Sequence, residues 1–560
     1  MFAVVHNIAL CALALNLLPS VAVYAQRPSR LDSSARTAMH SIAPYPLRLH
    51  TEFLGSDALE GRGTGTNASF VAATYLASEL RKLRLLPLGE DSTYYQNIPM
   101  HGSKPLPQTN LQFFGKRGDF ALRLGEDYLL DQAGPYAFIA KPAPLVFVGY
   151  GIVAPEYDYN DYQALEVEGK IVVFFEGEPR SRDRRYFEGE ELTLHSLLRT
   201  KQNVALARGA LGSILIPNTR EAAHRTWPEW QREFAFEDIH LYYSVARNLG
   251  VILNPQSAER LFEDAAYSLE ELDKKEATNT LPSFSLPVRA AFRGSFEQRD
   301  FLAANVVGML PGREAQIKNP YVLITAHYDH LGLGPSVRGD SIYNGVFDNA
   351  VGVAAVLEIA RAFSALPTRP ARTLLFLFLT GEEHGMLGST FYTDHPLVPL
   401  HQTAANLNVD GLALFDMFED LVGVGAEFST LGELLSRVAG EIGLGVSEVP
   451  APFSSSMAFA RSDQFAFAAA GIPSLLIMEG QHYRNTSYEE GLRRMIRWGQ
   501  EIYHSPFDDL RQSLNYDAAT QHTRALFAFC YALAQLQEPP QWRANTPFNN
   551  ARLRSIAEQR

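Results

Sequence analysis

Three short apolar runs in the second half of the chain each end next to a side chain that can bind a metal ion. They are 321–326 before His327, 373–380 before Glu382 and Glu383, and 404–409 before Asp410. Continuously apolar runs of this length, separated by helical patterns, are typical of buried parallel strands. Ligands of open α/β sheets bind at the carboxyl ends of such strands. The pattern therefore predicts one shared polar site.

The hydrophobic pattern changes in the middle of the chain. From 47 to 86 the apolar residues are spaced three and four apart, which is typical of helices. From about 111 to 291 short strands alternate with loops, and regular strand–helix alternation begins only at Ala304. We expect an α/β fold in which a mixed, mainly parallel central sheet is flanked by helices and interrupted by an inserted β-rich domain.

This organisation predicts five segments. They are a signal peptide at 1–25, the N-terminal part of the α/β domain at 26–115, the insert at 116–290, the main part of the α/β domain at 291–540 and a C-terminal extension at 541–560.

The first 25 residues are largely apolar, although they contain no Lys or Arg. The apolar stretch 8–18 is too short to span a bilayer and suits the core of a signal peptide. Val23 and Ala25 satisfy the small-residue rule for cleavage, so Gln26 would begin the mature chain. The pattern favours export to the periplasm or the medium without stable membrane insertion, and a retained N-terminal anchor is the alternative.

The composition limits the possible binding partners of the protein and its possible cellular compartment. The net charge of −13 and the pI of about 5.7 argue against nucleic acid or an anionic membrane as the main partner. Removing the leader also removes Cys11 and leaves only Cys530, so an internal disulfide is excluded in the mature chain. This cysteine usage fits a bacterial periplasmic protein better than a disulfide-dense secreted one. The sequence predicts no oligomeric state.

Six residues form the candidate chemistry, and all are typical metal ligands or proton carriers. They are His327, Asp348, Glu382, Glu383, Asp410 and His504. One imidazole and one carboxylate for each metal, plus a shared carboxylate, is the ligand set expected for two zinc ions, although cobalt or manganese can occupy similar sets. Without a cation, such carboxylates would repel each other when buried together.

Two further acids are spaced to orient the histidines. Asp329 follows His327 by two residues, so in an extended strand end both side chains lie on one side. We expect the Asp329 carboxylate to accept a hydrogen bond from the second ring nitrogen of His327 and to fix its tautomer. Asp508 lies four residues after His504 and is the expected orienting partner of that ring.

Each candidate also has an ordinary structural explanation. Asp348 precedes an amphipathic helical pattern and would serve as a simple N-cap, and Glu382 and Glu383 could be loop charges. As adjacent residues, these two acids cannot point in one direction, so one could bind metal while the other faces the attacking water. We assign no metal-binding role to His330. The occurrence of the candidates at successive strand ends favours the metal site.

The motifs around these residues resemble those of the double-zinc aminopeptidase family, which includes bacterial leucyl aminopeptidases, glutamate carboxypeptidase, glutaminyl cyclases and the transferrin receptor. They are LEGRGTGT (59–66), HYDHLG (327–332), NGVFDNAVGV (344–353), TGEEHGMLGS (380–389), NVD (408–410) and YHSPFD (503–508). The insert resembles a protease-associated domain in FVGYGI (147–152), GKIVV (169–173) and GALGSILI (209–216).

The resemblance implies a role for each ligand. His327 and Asp410 would hold one zinc ion, Glu383 and His504 would hold the other, and Asp348 would bridge the two. The implied cofactor is two Zn²⁺ per chain.

The resemblance also implies the catalytic groups and the pocket. Glu382 would act as the general base, and Tyr503 would donate to the oxyanion. Arg461 and Asp463, with the stretch 478–480, resemble the walls of the family's substrate pocket.

The implied activity is that of an exopeptidase that removes N-terminal residues from peptides with a free N-terminus, using two zinc ions, a bridging hydroxide and a glutamate base. Acyl transfer, as in glutaminyl cyclases with one zinc, is an alternative that the insert disfavours. A carboxypeptidase would require a basic pocket for the substrate carboxylate. A non-catalytic binding protein like the transferrin receptor is disfavoured by the intact ligand set.

Overall fold

The computed structural model of the protein describes residues 31–131, 137–217, 225–244, 248–314, 316–317, 319–450, 453, 455–544 and 546–558. The predicted signal peptide lies outside the described residues. Within these residues, every helix is too short or too polar to cross a membrane.

The described strands are numbered in chain order. They are β1 Leu86–Pro87, β2 Tyr95–Pro105, β3 Asn110–Gly115, β4 Gly118–Leu122, β5 Tyr128–Leu130, β6 Phe138–Val148, β7 Val153–Ala154, β8 Tyr159–Asn160, β9 Ile171–Phe175, β10 Gly212–Ile216, β11 Asp238–Leu241, β12 Leu249–Leu253, β13 Ser283–Arg293, β14 Phe296–Leu310, β15 Tyr321–His327, β16 Gly332–Val337, β17 Asp340–Tyr343, β18 Thr373–Leu379, β19 Thr403–Asn408, β20 Asp420–Val424, β21 Gly445–Ser447 and β22 Ser474–Glu479.

The described α-helices are numbered in the same way. They are α1 Ser33–His40, α2 Pro44–Leu54, α3 Asn67–Lys82, α4 Leu198–Ala207, α5 Trp227–Glu233, α6 Pro255–Phe262, α7 Leu269–Glu276, α8 Val351–Ser364, α9 Leu387–Asp394, α10 Leu431–Glu441, α11 Ser455–Phe459, α12 Gln464–Ala469, α13 Tyr488–Glu501, α14 Tyr516–Gln535 and α15 Asn549–Ala557.

The larger sheet is mixed, as the sequence predicts. Its order is β11-β2-β14-β18-β15-β19-β22-β20-β21, with β1 paired to β14. The four strands β18, β15, β19 and β22 run parallel to one another, and β14 and β20 flank them in antiparallel pairs. The predicted α/β class with a mainly parallel centre is therefore confirmed.

Both faces of the parallel centre are covered, which explains why its strands are continuously apolar. On one face, Val322, Ile324 and Ala326 of β15 belong to a core that includes α2, α8 and α14. On the other face, Leu323 packs with residues of α9 and α12. Each fully buried Leu, Ile or Phe in these layers stabilises the fold by about 1.5–3 kcal/mol.

The second sheet contains most of the inserted region. Its order is β4-β3-β13-β6-β9-β10-β12-β5. It begins at Asn110, earlier than the predicted boundary at 116, because β3 pairs with β13 rather than with the larger sheet. One strand of the inserted region, β11, also joins the larger sheet, where it pairs antiparallel with β2 at the edge.

A buried arginine ties the N-terminal segment to the loops around the strand ends. The Arg62 side chain is fully buried, and its guanidinium donates to four backbone carbonyls. The acceptors are the carbonyl oxygens of Leu54, Tyr328, Asn344 and Gly345. Burial lowers the pKa of Arg62 to about 10, against the opposing charges of nearby carboxylates. The motif 59–66 thus has a structural explanation, because Arg62 crosslinks three segments.

We expect Arg62→Met to lower the free energy of unfolding by about 3 kcal/mol or more, because four buried carbonyl groups lose their donor. Arg62→Lys keeps the charge but cannot reach all four acceptors, so its loss should be smaller. Urea unfolding, analysed with the m-value of each protein, measures the free energy of unfolding of both variants. A loss below about 1 kcal/mol for Arg62→Met would show that the carbonyls find other donors.

Candidate functional site

The parallel strands end together at one edge of the larger sheet. His327, the last residue of β15, is in register with Leu379, the last residue of β18. Thr325 of β15 is in register with Asn408, the last residue of β19. The loops that carry Glu382 and Asp410 therefore start beside His327.

Asp348 lies between the two candidate histidines. One of its carboxylate oxygens is 3.1 Å from His327 Nε2, and the other is 3.3 Å from His504 Nε2. Each histidine also faces a carboxylate of its own. His327 Nε2 is 3.3 Å from Asp410 Oδ1, and His504 Nε2 is 3.0 Å from Glu383 Oε2. The structure brings all five residues together, in the pairs that the resemblance implies.

This arrangement suits metal ions. One ligand atom from each of His327, Asp348 and Glu383 lies within 4.8 Å of the other two. His504 Nε2 is buried, yet it makes no hydrogen bond of acceptable geometry among the described residues. A buried nitrogen that faces two carboxylates without bonding to either is placed as a metal ligand would be. Imidazole and carboxylate are ligands that zinc prefers.

The electrostatics of the site favour a cation. Burial lowers the pKa of His504, but the negative charges of Glu383 and Asp348 outweigh it and raise the pKa to about 10. Burial raises the pKa of Asp348, but the nearby imidazoles of His327 and His504 bring it well below its usual value. The carboxylates thus stay ionised and require positive charge between them, from protonated imidazoles or from bound metal.

The Glu382 carboxylate forms no ion pair among the described residues, unlike those of Asp348, Glu383 and Asp410. Burial raises the pKa of the Glu382 carboxyl well above its ordinary value, and the charges of Glu383 and Asp463 add to the shift. The backbone N–H of Glu382 donates to Asp329 Oδ1 over 3.3 Å, which fixes the turn after β18.

The predicted hydrogen bond between His327 and the Asp329 carboxylate is not formed. His327 Nδ1 lies 3.2 Å from the backbone oxygen of Asp329, whereas the nearest carboxylate oxygen is 3.9 Å away. The carboxylate instead accepts from Thr64 Oγ1 and from the N–H of Glu382. The reason is that β15 ends at His327, so the two-residue alternation of a strand does not continue to Asp329.

The expectation for Asp508 is corrected as well. Among the described residues its carboxylate accepts from the backbone N–H groups of Phe347 and Asp348 and from Gln512 Nε2, rather than from His504. Asp508 therefore positions the backbone of the bridging residue.

His330 is a site residue that the sequence did not reveal. Its Nδ1 lies 2.5 Å from Glu383 Oε1, and its ring centroid is 5.7 Å from that of His504. The only signal was its position directly after the end of β15, which a structural histidine would share.

Tyr503 and Arg461 lie together at the mouth of the site, whereas Asp463 does not. The Tyr503 ring stacks on the His504 ring with centroids 3.8 Å apart, and the Arg461 guanidinium lies 6.0 Å from the Tyr503 centroid. Burial raises the pKa of Tyr503 well above its ordinary value. Asp463 is fully buried, accepts from Ser389 Oγ and is not one of the residues that line the cavity described below.

A cavity of about 810 Å³ opens onto the site, and Glu383, Tyr503 and His504 are part of its wall. This volume is in the range of small-ligand sites. The insert contributes residues of α5 and Phe236, which face the sheet edge across the cavity. The walls therefore come from both parts of the fold.

Comparison with known proteins identifies similar peptidases. Residues 305–530 match the sequence profile of peptidase family M28. Aminopeptidase YwaD of Bacillus subtilis (strain 168) is 32% identical over 360 residues, which are 63% of this chain and 59% of that protein. A vacuolar membrane protease of Lodderomyces elongisporus is 33% identical over 107 residues, 19% of this chain and 10% of its own length. The chain thus covers less than two thirds of these relatives.

The fold has a counterpart among solved structures. An aminopeptidase from Aneurinibacillus sp. strain AM-1 superposes with a TM-score of 0.53 and 18% sequence identity, over 90% of this chain and 98% of that one. The match to the peptidase family M28 profile covers the segment that carries the candidate ligand set, and the fold is similar to that of this aminopeptidase.

Proposed function

We propose that the protein is a zinc-dependent aminopeptidase that uses two co-catalytic zinc ions to remove N-terminal residues from peptides. The observation that carries the proposal is the position of Asp348 between two histidines, each of which faces a second carboxylate. A structural ion pair would need only one histidine and one acid. A bridging acid with two such pairs matches a two-metal site.

The ligands divide between the two ions. His327 and Asp410 would hold one ion, His504 and Glu383 the other, and Asp348 both. When bound, zinc would supply an activated water at neutral pH and polarise the scissile carbonyl. His330 would orient Glu383 through their short contact.

Glu382 is the group best suited to carry the proton. It lies next to Glu383 in sequence, and burial raises the pKa of its carboxyl, which makes the ionised carboxylate a stronger proton acceptor. In the proposed reaction Glu382 accepts a proton from the attacking water and returns it to the leaving amine.

Tyr503 is placed to stabilise the developing oxyanion. Its hydroxyl stays protonated at neutral pH because burial raises its pKa, so it remains a hydrogen-bond donor. The stacking on His504 holds the ring beside the ligands, and a preorganised donor of this kind strengthens as charge develops.

A carboxypeptidase is the second candidate, because three arginines line the cavity. They are Arg225, Arg232 and Arg461. Arg225 is already paired with Glu233, and Arg461 lies beside Tyr503. This pairing leaves less positive charge for a substrate carboxylate and favours the aminopeptidase. A glutaminyl cyclase with one zinc would leave the pair of His504 and Glu383 without a role.

The insert and the leader belong to the same proposal. We infer that the inserted β-rich region is a protease-associated domain whose helix α5 limits the length of peptide that enters. We also infer that the protein is exported after removal of residues 1–25. N-terminal sequencing of the mature protein tests the second point.

Four versions of one peptide test from which end the substrate is cleaved. They are the unmodified peptide, the N-acetylated peptide, the C-amidated peptide and a version with N-terminal glutamine. We expect cleavage from the free N-terminus, unaffected by amidation and abolished by acetylation. Mass spectrometry identifies the products. Cleavage that survives acetylation but not amidation would indicate a carboxypeptidase, and pyroglutamate formation without hydrolysis would indicate a cyclase.

For Glu382→Gln we expect kcat to fall by about 10²–10⁴-fold, because the proton acceptor is lost while the ligands remain. Zinc content should equal that of the wild type. Glu489→Gln, which changes an exposed glutamate on α13, is the matched control and should keep full activity. Near-normal kcat with zinc still bound would remove Glu382 from the mechanism.

Metal analysis tests the number of ions. We expect about two zinc ions per chain, loss of activity with a chelator and recovery on zinc addition. His504→Ala should retain about one ion, because only one pair of ligands is broken. His40→Ala, at an exposed position, is the control. A wild-type protein that binds one zinc at full activity would contradict the two-metal proposal.

A further inference from the structure

One carboxyl in the cavity wall has no role in the proposed mechanism. Glu479 is the last residue of β22, which runs parallel to β19. The carboxyl end of β22 therefore lies at the same edge of the sheet as the loop that carries Asp410. Its side chain is 3% exposed and contributes to the cavity wall.

Glu479 has no cationic partner among the described residues around it. The nearest basic group is His522, whose Nδ1 lies 4.0 Å from Glu479 Oε2. His522 Nδ1 accepts from the N–H of Ala413, and its Nε2 donates to the carbonyl of Ile477. Both ring nitrogens are used in a neutral tautomer, and burial lowers the pKa of His522 to about 4. His522 therefore supplies no positive charge.

Asp420, a nearby acid, differs from Glu479 in its hydrogen-bond donors. Asp420 accepts hydrogen bonds from Ser447 Oγ and from His482 Nδ1. Glu479 Oε2, by contrast, is buried without a hydrogen-bond partner within the described part of the chain. Burial raises the pKa of Glu479 to about 7, and the charge of Asp420 adds to the shift. An ionised carboxylate of this kind is costly unless it takes up a proton or a ligand supplies the missing donors.

A second acceptor lies beside it in the same wall. Gln481 is 2% exposed and lines the cavity. Its amide nitrogen points to Met495 Sδ, whereas its Oε1 is buried without a partner in the described structure. Two residues of one stretch of the cavity wall thus carry a buried acceptor without a donor among the described residues.

Apolar side chains line the same cavity, among them Phe347, Phe415, Met495 and Trp498. The Phe347 ring lies 4.4 Å from the Trp498 ring, and Trp498 lies 5.6 Å from Tyr503, measured between centroids. Phe347 directly precedes Asp348, so this apolar lining starts at the candidate metal centre. Apolar side chains and unpaired acceptors in one cavity complement an aliphatic stem that carries a cation.

We propose that this part of the cavity binds the side chain of an N-terminal lysine or arginine, with its cation at Glu479 and Gln481. The inference rests on the proposed aminopeptidase function and specifies its substrate class. Glu479 is a specificity residue in this scheme. The N-terminal amine, which every substrate shares, stays with the acids of the metal centre.

The test compares cationic side chains with neutral analogues of similar length. We would measure kcat/KM for substrates with N-terminal lysine, norleucine, arginine and citrulline. We expect the wild type to prefer lysine over norleucine, and arginine over citrulline, by at least about tenfold, since unpaired buried acceptors discriminate strongly. Glu479→Gln should reduce both preferences below about threefold by lowering kcat/KM for the cationic substrates.

The control is Glu489→Gln. Glu489 is exposed on α13 and is not one of the residues that line the cavity, so the lysine-to-norleucine ratio should stay within about twofold of the wild type. Zinc content and norleucine turnover show whether each variant is folded.

The outcomes separate the two levels of the proposal. Norleucine turnover equal to or above lysine turnover in the wild type would overturn the specificity proposal without any variant. An unchanged lysine preference in folded Glu479→Gln would overturn it as well. Failure to cleave any substrate with a free N-terminus would instead reject the aminopeptidase function.

Discussion

The structure depends on holding one carboxylate, that of Asp348, between two imidazoles. Its two oxygens face different histidines at 3.1 and 3.3 Å, so a small rotation would break one contact. Asp508 holds the backbone N–H groups of Phe347 and Asp348, and Arg62 holds the carbonyls of Asn344 and Gly345. The loop 344–348 is thus fixed by two side chains: Asp508 accepts from its backbone N–H groups, and Arg62 donates to its backbone carbonyls.

This constraint explains why the N-terminal segment belongs to the catalytic half. Arg62 is a fully buried positive charge whose pKa is influenced by Asp329, Asp508 and Asp348. One guanidinium cannot neutralise all the buried acids. The remaining charge must come from protons on the histidines or from metal, so metal binding and the stability of this edge are linked.

The sequence predicted the parts that follow from strand pattern. Continuous apolar runs identified the parallel strands β15, β18 and β19, and hence the common edge at which His327 and the acids meet. It could not predict the partners of Asp329 and Asp508, because both lie beyond strand ends, where loop geometry decides direction. His330 was missed for the same reason. The return of β11 to the larger sheet depends on a pairing more than 130 residues distant in sequence, between Asp238 and Ser103, which no local pattern encodes.

The candidate metal ligands and the cavity walls come from different elements of the fold. Parallel strands in register position the candidate metal ligands, because β15, β18 and β19 are held by core packing on both faces. The cavity walls come from elements under weaker constraint: the end of β22, helix α13 and helix α5 of the insert. Replacing Glu479 would change the charge offered to a substrate side chain without touching a candidate metal ligand. Selectivity can therefore be altered at one end of the cavity while the chemistry at the other end is preserved, which is consistent with one fold serving several substrates.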